Sequence, residues 1–202
     1  MPERSPEIWV VRHGETDWSQ ARRHTGRTDV PLNARGARQA AALGRWLAGR
    51  QFGAVLTSPL LRARETCRLA GYGDQAEIVQ DLAEWDYGAF EGRTAAEVRR
   101  TQPDWSIWYA DTRTGETVEE VGRRARRVLE RCEAAGWDVA LFAHGHVLRV
   151  LTAAWLGLPA RAGQLFALDA GRVGVLGYEH GTRVLRGWNA GPRDGDDAPP
   201  GR

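Results

Sequence analysis

Short apolar runs alternate along the chain with longer segments whose apolar residues recur every three or four positions. Residues 8–11, 54–57 and 139–142 are almost wholly apolar, as in strands that are buried on both faces. Residues 33–49 and 117–135 instead have the spacing of amphipathic helices. This alternation predicts an α/β domain, and strands this apolar favour a mostly parallel sheet. We therefore expect a three-layer α/β/α sandwich around that sheet.

Local signals mark where some helices begin and end. Thr94 and Thr117 each precede a glutamate by three residues, which is the capping-box pattern of a helix start. Gly136 follows the second of these helices and is typical of a helix end. Further along the chain, residues 173–178 and 183–188 flank a His-Gly turn and predict a β-hairpin.

The length of 202 residues favours one domain, which we place at residues 1–190. Residues 191–202 are rich in Gly, Pro and Asp and are expected to form a flexible C-terminal tail. No apolar run approaches the ~20 residues of a membrane helix, and the first residues lack the apolar core of a signal peptide. We therefore expect a cytoplasmic protein with no membrane partner.

All 28 basic residues are arginines, because the chain contains no lysine. This excludes Schiff-base chemistry and the Walker P-loop, both of which need a lysine amine. The net charge of +2 is too small to indicate a nucleic-acid partner. The arginine run at residues 123–127 is expected to form ion pairs on a solvated helix face, with glutamates four residues away at Glu119, Glu120 and Glu130.

Cys67 and Cys132 are the only cysteines, and they are far apart in sequence. Both lie in helix-like segments with apolar neighbours, so we interpret them as buried thiols without a disulfide. His144 and His146 suggest a metal pair, but no carboxylate or cysteine accompanies them at ligand spacing. We predict no metal and no cofactor, and we place His146 at a helix start or in support of the site.

Polar residues follow three of the predicted strands. Arg12 and His13 follow the first strand, Arg62 lies shortly after the second, and His144 follows the strand at 139–142. Because ligands bind at the carboxyl ends of strands in open α/β sheets, we expect these side chains to share one crevice. Two imidazoles and two guanidinium groups there suit a phosphoryl group.

Taken together, these motifs resemble the histidine phosphatase superfamily, also called the phosphoglycerate-mutase-like family. The resemblance covers about residues 8–180. The segments that carry it are residues 10–16 (VVRHGET), 25–36, 58–66 (SPLLRARET), 82–92 (LAEWDYGAFEG), 115–117 (GET) and 143–146 (AHGH). It is strongest to the branch of cofactor-independent sugar-phosphate phosphatases, including sedoheptulose-bisphosphatase-like proteins. It implies the phosphoglycerate-mutase-like fold and phosphatase activity.

The resemblance also implies a role for each matching residue. His13 would be the nucleophile that takes the phosphoryl group, and Glu84 would act first as an acid and then as a base. Arg12, Arg62 and His144 would hold the phosphoryl oxygens and stabilise the charge of the transition state. The alternative acids near these motifs are Glu15, Asp86 and Glu91.

Further residues are expected to bind a small phosphorylated metabolite. Besides the phosphoryl-binding residues, this set comprises Gly145, Ser19, Thr25 and Gly26. From their loop positions alone, the residues expected to contact a second anionic group are Arg22, Arg23, His24, Arg27 and Arg113. Trp105, Trp108 and Tyr109 suit either the core or the mouth of the site.

The predicted reaction is the hydrolysis of small phosphorylated metabolites such as sugar phosphates. A 2,3-bisphosphoglycerate-dependent phosphoglycerate mutase is the first alternative. Three features disfavour it: only about thirty residues separate Glu84 from Gly115, Ser19 stands where mutases favour Asn, and no lysine is present to grip a second anion. A non-catalytic phospho-ligand-binding protein is the alternative from another class. The candidate oligomeric state of the chain is a homodimer.

Overall fold

Six strands alternate with helices in residues 5–110 and 114–192, the part of the chain that this computed structural model describes. The strands are β1 (Ile8–Arg12), β2 (Ala54–Thr57), β3 (Ala76–Ile78), β4 (Val139–Ala143), β5 (Val173–Glu179) and β6 (Thr182–Ala190). The α-helices are α1 (Asp17–Gln20), α2 (Ala34–Leu47), α3 (Leu61–Leu69), α4 (Ala95–Arg99), α5 (Val118–Ala135) and α6 (Gly145–Trp155). Short 3-10 helices lie at Gly73–Gln75, Gln80–Leu82, Gly88–Phe90 and Ala160–Leu165.

These strands form one sheet in the order β3-β2-β4-β1-β5-β6. The first four are parallel to one another, whereas β5 is antiparallel to β1 and forms the predicted hairpin with β6. The predicted α/β fold with a mostly parallel sheet is confirmed. Because β4 lies between β1 and β2, the carboxyl ends of these three strands are adjacent.

Side chains of β1 alternate between two hydrophobic clusters on opposite faces of the sheet. Ile8 and Val10 pack in a cluster with residues of α5 and α6. Trp9 and Val11 pack in a second cluster with residues of α2 and α3. Because successive residues of a strand point to opposite faces, one apolar run serves both clusters. Helices therefore cover both faces of the sheet, as in the predicted three-layer sandwich.

Both cysteines, Cys67 and Cys132, are buried and form no disulfide, as predicted. Burial raises the pKa of each thiol to about 12, so neither is a nucleophile at neutral pH. Among the residues that the structure describes, no helix is both long and apolar enough to cross a membrane.

The arginine run of α5 is not wholly the solvated face that its spacing predicts. Arg124 is buried, and its guanidinium donates to the carbonyls of Asp81 and Ala83 at 2.8 and 2.5 Å. Arg123 remains exposed and pairs with Glu120, which is three residues away rather than four. The prediction is wrong for Arg124 because a neighbouring loop supplies its acceptors, and spacing within one helix does not reveal them.

Candidate active site

The carboxyl ends of β1, β2 and β4 meet at one edge of the sheet, and polar residues follow each of them. His13 N donates to Ala143 O and Ser58 N donates to Phe142 O, so backbone pairing continues one residue past β1 and β2. The ring centroids of His13 and His144 are 5.1 Å apart, and His144 Nε2 lies 2.6 Å from Ser58 Oγ. The parallel topology thus brings two imidazoles together.

One ring nitrogen of His13 is already used by the protein. Nδ1 lies 2.7 Å from the carbonyl oxygen of Gly14, and a carbonyl can only accept, so Nδ1 carries the proton. Burial, together with the charges of Arg62 and Arg12, holds the pKa of His13 well below its usual range. The ring is therefore neutral at physiological pH, and its Nε2 presents a lone pair.

The loop that carries His13 packs closely against α2 and α3. Gly14 N donates to Thr66 Oγ1 at 3.0 Å. A Cβ atom on Gly14 would lie 2.3 Å from the carbonyl oxygen of Gly36, so any other residue would displace the start of α2. The loop that carries His13 thus depends on glycine for a close approach of two backbones.

Two arginines of the site have their terminal nitrogens bound to backbone carbonyls. Arg12 Nη1 donates to Leu168 O at 2.5 Å. Arg62 is fully buried, and its Nη1 and Nη2 donate to the carbonyls of Thr28, Thr25 and Gly26. These bonds hold both guanidinium groups in place before any ligand binds, which is the preorganisation that transition-state stabilisation requires.

Buried nitrogens without a protein partner are concentrated at this site. In residues 5–110 and 114–192, three of the four such side-chain atoms are Arg12 Nε, Arg62 Nε and His144 Nδ1. Ser58 Oγ accepts from Leu60 N, and its own proton is available to His144 Nε2, which leaves the proton of His144 on Nδ1. Three N–H donors that lack acceptors in the protein suit a tetrahedral anion.

The side chain of Glu84 lies against the first turn of α6, and backbone N–H groups hold it there by hydrogen bonds. Its Oε1 accepts from Trp85 N and Val147 N, both at 2.9 Å, and its Oε2 accepts from His146 N at 3.0 Å. Each carboxylate oxygen has two lone pairs, so Oε2 retains one acceptor position. Oε2 is therefore the oxygen of this carboxyl group that has room for a further hydrogen bond.

His13 and Glu84 line the same cavity, which has a volume of about 280 Å³. The other residues that line it are Arg12, Ser19, Arg22, Arg23, His24, Thr25, Tyr87, Gly145, His146 and Arg149. The alternative acids Glu15, Asp86 and Glu91 do not form part of its surface. The cavity thus places a neutral imidazole, that of His13, and one carboxyl group on a wall rich in arginines.

Comparison with known proteins identifies the family. The sequence profile of the histidine phosphatase superfamily (branch 1) matches residues 8–191. The chain belongs to the histidine phosphatase superfamily. It is 37% identical to an acid phosphatase of Mycobacterium tuberculosis over 92% of this chain and 93% of that protein. It is 30% identical to sedoheptulose 1,7-bisphosphatase of Saccharomyces cerevisiae over 89% of this chain and 90% of that protein.

The fold agrees with that membership. A solved structure of the product of a Mycobacterium tuberculosis open reading frame superposes with a TM-score of 0.87 at 36% identity, covering 93% of this chain and 99% of that one. The predicted family and the phosphoglycerate-mutase-like fold are therefore confirmed, and the chain is an enzyme of the phosphatase type.

Most residues predicted to bind substrate in this histidine phosphatase line the cavity. They are Arg12, Ser19, Arg22, Arg23, His24, Thr25 and Gly145. Arg62 and His144 are fully buried and do not form its surface. Both lie near His13: the ring centroid of His144 is 5.1 Å from that of His13, and burial and the charge of Arg62 lower the pKa of His13.

Two other predicted residues, Gly26 and Arg27, are described by the structure and are not on the cavity surface. Gly26 donates its N–H to the carboxylate of Glu91 and accepts from Arg62 through its carbonyl, so it supports the arginine instead. Arg27 lies 3.3 Å from Asp86, in an ion pair away from the cavity. Arg113 lies outside the described residues.

Arg149 and Tyr87 line the cavity although the sequence did not single them out as ligand-binding residues, and His146 lines it rather than only supporting it. Arg149 donates to the carbonyls of Gly163 and Gln164. Helical spacing could have indicated Arg149, because it lies four residues after Gly145 and three after His146, which places all three on one face of α6.

The aromatic segment before residue 110 divides between core and surface. Trp105 and Trp108 are buried, whereas Tyr109 is 63% exposed. The ring centroid of Trp105 lies 5.2 Å from that of His24, and the centroid of Trp108 lies 5.1 Å from that of His146. The two buried indoles therefore pack against imidazoles of the cavity wall.

Proposed function

We propose that this histidine phosphatase hydrolyses phosphomonoesters of small metabolites, sugar phosphates in particular, through a phosphohistidine formed on His13. One observation carries the proposal: a neutral His13 shares a cavity with Glu84, beside buried nitrogens of Arg12, Arg62 and His144 that have no protein partner.

In the first step, His13 Nε2 attacks phosphorus with its lone pair. The bond between phosphorus and the ester oxygen breaks, and Glu84 Oε2 gives its proton to that leaving oxygen. Phosphoryl transfer spreads negative charge over the non-bridging oxygens, which the two guanidinium groups and the His144 N–H stabilise. The products are the alcohol, the Glu84 carboxylate and the phosphohistidine.

In the second step, a water molecule attacks the phosphohistidine. Glu84 Oε2 takes a proton from the water as the oxygen bonds to phosphorus. The bond from phosphorus to Nε2 breaks, its electron pair returns to the ring, and inorganic phosphate leaves. The enzyme regains a neutral His13 and a protonated Glu84, so the cycle is balanced.

The size and charge of the cavity support a small anionic substrate. About 280 Å³ lies near the lower end of typical small-molecule sites. Arg22, Arg23 and Arg149 on the wall favour anions over cations. The acid phosphatase and the sedoheptulose 1,7-bisphosphatase among the relatives also support a small phosphorylated substrate.

Replacement of the nucleophile tests the proposal. We expect His13→Ala to lower kcat for p-nitrophenyl phosphate by at least ~10³-fold, because the variant lacks the nitrogen on which the proposed covalent intermediate forms. Quenching the wild-type enzyme during turnover of ³²P-labelled glucose 6-phosphate should leave an acid-labile label on the protein, which His13→Ala lacks.

His180→Asn is the matched control. His180 is exposed on the turn between β5 and β6 with φ +50°, a conformation that asparagine also adopts. Its activity should equal that of the wild type. Full hydrolysis by His13→Ala would refute the proposal, whereas turnover of phosphoglycerates only with 2,3-bisphosphoglycerate would indicate a mutase. Tight phosphate binding without turnover would indicate a binding protein.

A further inference from the structure

Two imidazoles of the cavity wall face each other, and neither has a role in the chemistry above. His24 follows α1, and His146 lies in the first turn of α6. Their rings are nearly parallel, with an interplanar angle of 10° and centroids 6.4 Å apart. Both rings line the cavity that holds His13 and Glu84.

The protein fixes the proton of His24. Its Nδ1 lies 2.7 Å from the carbonyl oxygen of Arg93, so Nδ1 is the donor. Burial lowers the pKa of His24, which keeps the ring neutral. Nε2 of His24 therefore carries a lone pair and acts as an acceptor.

In His146, by contrast, Nδ1 is the acceptor and the ring proton lies on Nε2. Its Nδ1 lies 2.6 Å from the hydroxyl oxygen of Tyr87. Burial raises the pKa of Tyr87 well above its usual range, so the phenol keeps its proton, and that proton finds its acceptor at Nδ1. Burial and the charge of Arg149 lower the pKa of His146 and keep the ring neutral. Nε2 of His146 is therefore a donor.

The two Nε2 atoms form a complementary pair. In the described part of the chain, neither makes a hydrogen bond to the protein. A hydroxyl group is both a donor and an acceptor, and one that bonds to both rings spans about 5–6 Å between the nitrogens. The ring centroids are 6.4 Å apart and both residues line one cavity, so a small polyol can contact both rings through one hydroxyl or through two neighbouring hydroxyls.

The position of this pair relates it to the reacting bond. The backbone N–H of His146 donates to Glu84 Oε2, the oxygen assigned to proton transfer. His146 thus holds Glu84 through its backbone and lines, with Glu84, the cavity in which the substrate would bind.

We propose that His24 and His146 recognise the substrate by its hydroxyl groups, with His24 Nε2 accepting from, and His146 Nε2 donating to, hydroxyls near the phosphoester. This inference rests on the proposed function and narrows it. Phosphate esters of polyols and sugars satisfy both nitrogens, whereas an alkyl phosphate leaves both unpaired in a partly buried wall.

Two esters of equal chain length test the pair. We expect kcat/KM for glycerol 3-phosphate to exceed that for n-propyl phosphate by at least tenfold in the wild type, since each hydroxyl contact contributes about that order of discrimination. Tyr87→Phe removes the group that orients the His146 tautomer and should lower this ratio several-fold.

Variants of His24 distinguish recognition of a substrate hydroxyl by Nε2 from a purely structural hydrogen bond made by Nδ1. His24→Asn keeps a donor for the Arg93 carbonyl and has no atom at the position of Nε2, so the ratio should fall towards one. His24→Gln places an amide oxygen near the Nε2 position and should restore part of the ratio. A merely structural role predicts the reverse order, because asparagine is the better replacement for Nδ1. Circular dichroism and thermal melting confirm that each variant is folded.

The outcomes for the two proposals differ. Two results would overturn the hydroxyl pair but not the proposed function, as long as hydrolysis still depends on His13. One is a wild-type ratio of the two kcat/KM values near one. The other is a ratio that is unchanged in both His24→Asn and Tyr87→Phe. Equal loss of both esters in His24→Asn and His24→Gln would also overturn it. Hydrolysis of either ester that does not need His13 would overturn the proposed function and this inference with it.

Discussion

At the scale of single residues, one buried hydroxyl joins the segments that carry His13, the proposed nucleophile, and the buried Arg62. Thr66 Oγ1 accepts from Gly14 N at 3.0 Å and donates to Arg62 O at 2.7 Å. The side chain is fully buried. Because Gly14 also accepts from His13 Nδ1, Thr66 fixes the loop of the nucleophile relative to α3.

Thr66→Val keeps the shape of the side chain and leaves the N–H of Gly14 buried without an acceptor. We expect a loss of about 1–3 kcal/mol in the free energy of unfolding. The position of His13 should also loosen, so kcat falls with little change in KM. Urea titration and steady-state kinetics with p-nitrophenyl phosphate measure the two effects.

Thr152→Val is the matched control for this change. Thr152 is also fully buried, but its hydroxyl donates only to Leu148 O, four residues earlier in α6. That carbonyl remains an acceptor within the helix, so the free energy of unfolding should fall by less than about 1 kcal/mol and kcat should be unaffected. Equal losses of kcat in the two variants would argue against the role given to Thr66.

Sequence reasoning reaches some site residues and not others, for a physical reason. His13 and His144 directly follow strands, and parallel topology alone brings such residues together. Glu84 follows no strand, and only family resemblance indicated it. The bond between Tyr87 and His146 joins residues 59 positions apart. It depends on how a loop packs against α6, and no local pattern encodes that packing.

At the scale of elements, α5 supports the loop that carries Glu84. Arg124 of α5 donates to the carbonyls of Asp81 and Ala83, and its Nε donates to Glu116 Oε1 at 2.8 Å. Its side chain is only 8% exposed. One guanidinium group therefore ties the long helix to the residues just before the proposed acid.

Arg124→Lys keeps the charge and loses the planar fork that reaches several acceptors at once. We expect a loss of about 1.5–3 kcal/mol in the free energy of unfolding, since charged hydrogen bonds are removed from a buried site. The loop should shift Glu84, and kcat should fall more for glycerol 3-phosphate than for p-nitrophenyl phosphate, whose leaving group needs less acid assistance.

Arg127→Lys on the same helix provides the comparison. Arg127 pairs with the side chain of Asp81, and its own side chain is 58% exposed. Exposed ion pairs contribute little to stability, so the free energy of unfolding and kcat should both stay near the wild-type values. If Arg124→Lys behaved like Arg127→Lys, the proposed support of the loop by α5 would be wrong.

Element boundaries were predictable where the signal is local. The capping boxes at Thr94 and Thr117 are confirmed, with hydrogen bonds in both directions, and Gly136 ends α5 with φ +71°. These signals involve residues within one helical turn. The burial of Arg124 was mispredicted because its acceptors lie in a loop about 40 residues earlier.

At the scale of the whole molecule, the fold concentrates imidazoles at one sheet edge and surrounds them with arginines. Burial, and after it a neighbouring arginine, holds the pKa values of His13, His144 and His146 well below the usual range. The alternation of strands and helices predicted this edge as the site. It could not predict the protonation states, which depend on burial in the folded protein.

These protonation states make the stability of the whole protein depend on pH. Above pH 6.5, the three histidines are neutral in both the folded and the unfolded chain. As the pH falls below 6.5, the unfolded chain binds protons that the folded chain does not. The free energy of unfolding therefore decreases as the pH falls.

We expect His13, His144 and His146 to lower the free energy of unfolding by up to about 4 kcal/mol per pH unit between pH 6.5 and 5, because each of the three groups contributes about 1.4 kcal/mol per unit. His24, whose pKa burial also lowers, adds to this slope with the same sign until its own pKa is reached. Urea titrations in buffers free of phosphate and sulfate measure this slope without stabilisation by a bound anion. His146→Gln should reduce the slope by about a third. A flat profile from pH 7.5 to 5 would show that the folded protein takes up the same protons, and the neutral nucleophile would then have to be abandoned.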